Sequence, residues 1–240
     1  MALGSIIVSI VDPGLLDPFQ RRFRKAAATI QEQFDCTVLQ MPWNEPVSGP
    51  PVDREDIHEA ASRYSADPSA PLENWYPAVV DSLPFFQARL ICQRTNCWWD
   101  SKLRRRYAGW IIAAVGVLSL AIVAGGLMQK LTLEQFVLVV AVPLSPTLLW
   151  AIREVNRQRD AASALDRLKD YGSSLWNQVA KGLVDDAKAT ALSRELQDAI
   201  LQRRRENPFV FDWIYRRLRN SYEEQMNVNA QQMVDEVSRR

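Results

Sequence analysis

Two long stretches of this sequence contain no charged side chain, and they constrain the fold more than any other feature. They cover residues 107–129 and 135–152, and a short polar segment separates them. A helix needs about 20 apolar residues to cross the hydrocarbon core of a bilayer, because each residue adds only about 1.5 Å to its length. The two stretches therefore predict a transmembrane helical hairpin over residues 107–152, with spans at about 107–128 and 134–152.

The alternative to a membrane hairpin is a buried helical hairpin of a soluble protein. A core hairpin of this size usually shows a polar stripe, which the first stretch lacks. The second stretch is near the lower limit of spanning lengths and contains Pro143 and Pro146. Proline removes a backbone hydrogen-bond donor and predicts a bend, so these two residues are candidate hinges, although kinked helices without a gate are also common.

Basic residues crowd the two outer ends of the hairpin, whereas the connecting segment, residues 130–134, holds one lysine. Because basic residues stay preferentially on the cytoplasmic side, we expect the polar regions 17–106 and 153–240 to lie in the cytoplasm. Trp110 and Trp150 lie near the cytoplasmic ends, where aromatic rings favour the membrane–water interface. The flanking basic residues are Lys102, Arg104, Arg105, Arg106, Arg153, Arg157 and Arg159.

The first sixteen residues, 1–16, form a partial apolar, membrane-proximal segment. Their opening string, MALGSIIVSIV, is too short to span a bilayer and lacks the preceding basic residues of a signal peptide. Four basic residues soon follow, at positions 21, 22, 24 and 25, as expected where a membrane helix emerges into the cytoplasm. The segment is interpreted either as an interfacial anchor or as the end of a longer membrane segment.

The first polar region carries a helical pattern over residues 18–34, with Asp17 as its N-cap and Pro18 at the first helical position. A short β-like segment is expected at 36–39, followed by a Pro- and Gly-rich loop over 41–51. The apolar residues of the helix recur at spacings of three and four. They are Phe19, Phe23, Ala26, Ala27, Ile30 and Phe34.

Proline positions indicate where the remaining helices begin and end. A helix is expected over 53–64, with a break at 65–71, and Pro84 favours the start of one long helix over 85–128. Residues 153–205 lack proline and show the apolar spacing of one amphipathic helix with coiled-coil character. With a last helix over about 211–238, the sequence predicts an all-α membrane protein with long cytoplasmic helices.

No arrangement of residues supports catalysis, and we expect neither an enzyme nor a cofactor. The sequence lacks a Gly-rich phosphate loop, a G-x-S-x-G elbow and an H-E-x-x-H motif. Cys36, Cys92, Cys97 and His58 do not have the spacing of a four-ligand metal site, so they are interpreted as structural residues. The net charge of +1, from 29 basic and 28 acidic residues, indicates no partner, and no nucleic-acid polymer is expected.

Two sets of residues are candidate contact sites. Gly109, Ala113 and Gly116 form a small-residue face on the first span, which can pack within the hairpin or between copies in a homo-oligomer. Arginines near the C-terminus can bind phosphate groups of a ligand, face anionic lipid or simply face solvent. These candidate ligand-binding residues are Arg203, Arg204, Arg205, Arg216, Arg217 and Arg219.

Several uncommon strings, read in order along nearly the whole chain, resemble those of the SMODS-associating four-transmembrane effectors. The resemblance implies a bacterial inner-membrane effector of antiphage conflict systems, which forms pores and kills the cell. Family members have two membrane hairpins, whereas only MALGSIIVSIV stands in the place of the first here, as a late start codon or a truncated gene would explain. The strings are DPFQRR-x-R, IQEQFDC, MPWNE, NWYP, CQRTN-x-WWD-x-KLRRRY and NPFVFDWIYRRLR.

The leading hypothesis is therefore an effector that disrupts the membrane when a nucleotide second messenger is sensed. The resemblance alone implies a cyclic nucleotide as the ligand, with the lipid bilayer as the other partner. The alternative is a membrane-anchored helical scaffold or regulator that recruits cytosolic partners. Loss of membrane potential on expression would favour the effector.

Overall fold

The computed structural model describes residues 17–63 and 75–239. The apolar segment 1–16 and the break at 65–71 lie outside the described residues. Within them the chain forms helices and turns, with no strand. The helices are α1 (Asp17–Val38), α2 (Glu45–Ser48), α3 (Arg54–Arg63), α4 (Phe85–Met128), α5 (Leu133–Phe136), α6 (Val142–Ala180), α7 (Asp186–Glu206) and α8 (Asp212–Ser238).

Helix α4 has the bounds that the sequence predicts. A 3-10 helix, Ala78–Ser82, precedes Pro84, whose carbonyl accepts hydrogen bonds from the amides of Gln87 (2.9 Å) and Ala88 (3.1 Å). The helix continues unbroken to Met128, a length of about 65 Å. Helix α8 begins at Asp212, within one residue of its expected start.

The expected β-like segment at 36–39 is wrong, because α1 continues through it. The amide of Leu39 donates to the carbonyl of Asp35 (2.8 Å), and the Thr37 hydroxyl donates to the carbonyl of Gln33 (2.8 Å). Packing of Cys36 in the core outweighs the β preference of the Thr37–Val38 pair. The following Pro-rich loop is correct in outline, but it contains the short helix α2.

The single helix expected over 153–205 is also wrong, since a turn separates α6 from α7. Gly182 adopts a φ of 66°, in the left-handed region that glycine enters without strain, and so ends α6. Asp185 caps α7, because its carboxylate accepts a hydrogen bond from the Lys188 amide at 2.7 Å. Leu183 is 70% exposed and lies between α6 and α7. Coiled-coil character stays an untested prediction.

The chain divides into two compact units. Among the described residues, the first unit comprises 17–63, 75–95, 168–207 and 225–239. Its core contains residues of α1, α4, α6 and α8, with Cys36, Ile91 and Trp176 among its buried side chains. All three cysteines are buried, and none forms a disulfide among the residues that the structure describes.

The apolar stripe of α1 is not its buried face. Phe19 is 60% exposed and Phe23 is 53% exposed, whereas Glu32 and Asp35 are buried. Helix α1 packs chiefly on α7, and the facing surface of α7 supplies arginine and glutamine side chains to these carboxylates. Charge complementarity, rather than hydrophobic periodicity, therefore sets the orientation of this helix.

The second unit comprises residues 96–167 and 208–224 and contains the hairpin. Ala108 and Ile111 of α4 pack with Ala151 and Val155 of α6 at one end of the hairpin. At the other end, Thr132 forms a capping box with Gln135 and starts α5. A π-helical turn, Val137–Ala141, joins α5 to α6.

Candidate functional site

The outer surface of the hairpin is apolar and exposed. Helix α4 and the continuous helical segment Leu133–Ala180 each contain a window apolar and long enough to cross a membrane. Only 11% and 17% of these windows are buried within the chain. The apolar core hairpin of a soluble protein would be largely covered, so lipid is the environment that fits this surface.

The two spans are in close contact near the turn between them, where α4 carries Gly126. A Cβ atom at this position would lie 3.0 Å from a methyl carbon of Val140 and 3.2 Å from the ring of Phe136. A larger residue would require Val140 and Phe136 to shift, so glycine favours the close approach of the two helices here. The hairpin interior uses this small residue rather than the predicted small-residue face.

The predicted face of Gly109, Ala113 and Gly116 is exposed in the chain. A Cβ added at either glycine would meet no atom within 4 Å. This face therefore does not pack inside the hairpin, which leaves it open for a helix of another copy. Its role in homo-oligomerisation stays a prediction.

Replacing Gly116 by leucine should reduce self-association without disturbing the chain's own packing, because the position is open. We expect the oligomer fraction in detergent, measured by analytical ultracentrifugation, to fall several-fold. Gly126→Leu is the control for hairpin damage, since it must clash with Val140 and Phe136. An unchanged oligomer distribution in a well-folded Gly116→Leu protein would remove this face from any interface between copies.

The predicted hinge prolines lie where the second span changes its hydrogen-bond pattern. The amide of Val142 donates to the carbonyl of Val137, five residues back, immediately before Pro143. Since Pro143 has no N–H, the carbonyl of Val139, four residues earlier, loses its usual helical partner, and a widened turn is a common local solution. Pro146 lies inside α6, which continues through it. The hinge role of both prolines stays a prediction.

Most of the candidate ligand-binding arginines already contact groups of the chain. In the first unit, Arg204 pairs with the buried Asp35 at 2.7 Å, and Arg203 pairs with Glu206 at 2.7 Å. Arg205 donates to the carbonyl oxygens of Val47 and Ser48. Arg204 and Arg205 therefore join α7 to other elements of the first unit, whereas the Arg203 pair lies within α7.

The other three candidate arginines lie in the second unit, on the first turns of α8. Arg216 pairs with Asp212 at 2.6 Å, and Arg219 is buried and pairs with Glu223 at 2.5 Å. Arg217 is exposed. The structure thus divides the six arginines between the two units, and their ligand-binding role stays a prediction.

In the second unit a buried arginine holds the backbone that leads into α8. Arg104 donates to the carbonyl of Pro208 at 2.7 Å and to the side-chain oxygen of Gln158 at 2.9 Å. Gln158 in turn donates to the carbonyl of Phe209 at 3.0 Å. The Nε atom of Arg104 lies 3.0 Å from the carboxylate of Asp100, which supplies the countercharge. The sequence assigned Arg104 only to the basic flank of the hairpin and missed this contact.

Aromatic rings surround the same end of the hairpin. Trp110 stacks on Trp213 with ring centroids 5.2 Å apart, and Trp213 remains 57% exposed. Tyr107 contacts Phe211 edge to face at 5.8 Å. Aromatic rings favour the membrane–water interface, so the start of α8 fits that environment together with the basic end of the first span.

A buried polar network joins α1 to α7 in the first unit. The carboxylate of Asp35 accepts hydrogen bonds from Tyr76 (2.6 Å), Gln197 (2.9 Å) and Arg204 (2.7 Å). The carboxylate of Glu32 pairs with Arg194 at 2.5 Å. Each buried charge therefore has an opposite charge and further hydrogen bonds beside it, which is the condition for burying it.

The first unit also contains a pocket of about 510 Å³ between the end of α1 and the start of α4. Aromatic side chains and one buried arginine, Arg89, line it. The sequence missed this site, because its residues come from segments that are far apart in the chain. The NWYP string was its one visible signal, since it places Trp75 and Tyr76 outside any helix.

Comparison with known families matches residues 1–233 to the SMODS-associating 4TM effector domain. A Bacillus cereus (strain VD146) protein, described as a "Probable CBASS effector molecule", is 25% identical over 202 residues. These residues are 83% of this chain and 66% of that protein, so the chain spans just under two thirds of its relative. No solved structure matches. The expected family and fold class are confirmed: the chain is an all-α membrane protein that belongs to the SMODS-associating four-transmembrane effector family.

Proposed function

We propose that this protein permeabilises the bacterial inner membrane when a nucleotide second messenger is sensed during phage infection. The observation that carries the proposal is the exposed apolar surface of the hairpin in a chain of this effector family. The relative's description as a CBASS effector supports a role in a conflict system. Lipid is therefore the target, and the first unit is the part available to receive the signal.

The two spans among the described residues cannot enclose a water-filled path, so a pore requires several copies of this chain. The exposed face of Gly109, Ala113 and Gly116 gives a surface on which helices of neighbouring copies can approach closely. Neither uncharged stretch, 107–129 or 135–152, contains a charged side chain. Such a pore would have no ring of fixed charges and little ion selectivity.

Membrane depolarisation tests this proposal. Cells that express the protein together with a nucleotidyltransferase that makes a cyclic oligonucleotide should lose membrane potential within one phage infection cycle, as read by a potential-sensitive dye. Cells in which the nucleotidyltransferase is inactivated should keep their potential. If infected cells keep a normal potential while the protein is present in the membrane, the scaffold or regulator hypothesis replaces the effector.

The proposal includes an orientation, with both polar regions in the cytoplasm. A reporter fused after Lys130 should be located outside the cytoplasm. Reporters fused after Arg63 and after Arg239 should be located in the cytoplasm. This follows from the basic residues at the outer ends of the hairpin. A cytoplasmic reporter after Lys130 would contradict the hairpin orientation.

A further inference from the structure

The pocket of the first unit has the size and lining of a ligand site. Its volume of about 510 Å³ is within the range of small-molecule pockets, roughly 300–1,000 Å³. The residues that line it belong to the end of α1, the segment 75–83 and the start of α4. Three large side chains at its surface, Phe34, Trp75 and Phe85, are 46%, 38% and 42% exposed.

Arg89 brings a positive charge into this pocket without a carboxylate partner in the described chain. The side chain is only 8% exposed. Its Nε atom donates to the carbonyl of Leu39 at 2.6 Å, and Nη2 donates to the carbonyl of Gln40 at 2.7 Å. The third nitrogen, Nη1, makes no hydrogen bond to the residues that the structure describes. Carbonyl groups orient the guanidinium but do not neutralise it.

Arg194 of the same unit, whose side chain is 12% exposed, shows what is missing at Arg89. Burial alone would lower the pKa of Arg194, but the hydrogen bond and charge of Glu32 raise it above the usual value. Burial lowers the pKa of Arg89, with no opposing carboxylate. A buried charge without a counter-ion is costly, and an anion in the pocket would supply the missing charge.

The aromatic rings of the pocket indicate that a ligand would carry a planar group beside its anionic group. The guanidinium of Arg89 lies 4.9 Å from the centre of the Phe85 ring. The rings of Phe34 and Tyr76 are nearly parallel, with centroids 6.3 Å apart. Exposed rings beside a cation suit a planar base, because stacking on aromatic side chains is favourable for every base.

Two further side chains, Asp81 and Cys92, indicate a binding site rather than a catalytic site. Asp81 lines the pocket and is exposed, so its carboxylate can accept hydrogen bonds from the amino group of a base while solvent weakens its repulsion of an anion. Cys92 lies at the buried side, where burial together with Asp35 and Asp81 raises its pKa to about 12. The thiol is therefore protonated at neutral pH and is not a nucleophile.

We propose that this pocket is the receptor site for a cyclic oligonucleotide, with a phosphate on Arg89 and a base against Phe85 and Trp75. The proposal rests on the proposed function, which supplies the class of ligand. It also gives the bound base a connection to α7, because Tyr76 lines the pocket and donates to Asp35 at 2.6 Å. Asp35 in turn holds Arg204.

Calorimetric titration of the full chain in detergent with cyclic di-AMP, cyclic tri-AMP and adenosine tests the site. At least one cyclic oligonucleotide should bind more tightly than adenosine. Arg89→Met should weaken that binding at least tenfold and change adenosine binding less than about twofold, because adenosine has no phosphate for Arg89 to bind. Phe85→Leu should weaken the binding of both compounds, because it removes a stacking ring and leaves the carbonyl contacts of Arg89 intact.

Arg63→Met is the control for the loss of an arginine, since Arg63 belongs to an exposed pair on α3 and does not line the pocket. It should leave the affinity unchanged, and thermal unfolding shows whether each variant is folded. Binding of no cyclic oligonucleotide, or full affinity in both folded pocket variants, would overturn the site. Depolarisation during infection would then still support the proposed function, whereas the expected affinity losses without depolarisation would keep the site and reject that function.

Discussion

Replacing Asp35 by alanine should lower the free energy of unfolding by about 3–5 kcal/mol, the usual effect of removing one partner of a buried ion pair. Asp35 is 2% exposed and accepts hydrogen bonds from three side chains. Without it, Arg204 remains largely buried beside a cavity and lacks its nearest countercharge. Urea unfolding in mild detergent, followed by pulse proteolysis, measures the change.

Glu59→Ala is the control for the loss of an acidic side chain. Glu59 pairs with Arg63 on the surface of α3, where the two side chains are 59% and 77% exposed. Exposed pairs of this kind contribute little, so the change should stay below about 0.5 kcal/mol. Similar losses for the two variants would show that the buried network does not hold α1 on α7.

Inserting two glycines after Asp100 should abolish infection-dependent toxicity while leaving membrane insertion intact. Helix α4 runs without a break from Phe85 to Met128, and the insertion falls within it. Each glycine costs about 1 kcal/mol in a helix, and two residues rotate everything beyond them by about 200°. The insertion also separates Asp100 from Arg104, its ion-pair partner. Survival and membrane potential after phage challenge are the measurements.

The same two glycines placed after Gly182 provide a matched control. That site lies in the turn between α6 and α7, where Leu183 is 70% exposed and no helix is interrupted. Toxicity should be retained there, because a longer exposed turn changes no helix rotation. Parental toxicity for the insertion after Asp100 would show that no rigid connection through α4 is needed, and the C-terminal helices would have to carry the signal.

The sequence predicts α4 well because strong local signals coincide in it. Pro84 favours its start, no proline follows before residue 143, and the apolar stretch exceeds the length of a span. The turn at Gly182 gives a weaker signal, since glycine is tolerated inside helices and only its positive φ identifies the end of α6. Boundaries that depend on one backbone angle are therefore harder to predict than those marked by proline and charge.

Orientation and site geometry depend on contacts between distant segments. The spacing of Phe19 and Phe23 predicts a helix but does not tell which face is buried, and α7 decides this by supplying partners for Glu32 and Asp35. The pocket likewise depends on Arg89 meeting carbonyls some 50 positions away in the chain, at Leu39 and Gln40. No local pattern contains that information.

The contact between Arg104 and the backbone before α8 has a consequence for sequence variation. Arg104 and Gln158 recognise the carbonyl oxygens of Pro208 and Phe209, which every amino acid possesses. The side chains at positions 208 and 209 can therefore diverge among homologues while the attachment of α8 persists. Positions 104 and 158 have no such freedom, because lysine lacks the planar fork of arginine and glutamate cannot donate to a carbonyl. Among homologues, Arg104 and Gln158 should therefore be invariant, whereas the residues at positions 208 and 209 should vary.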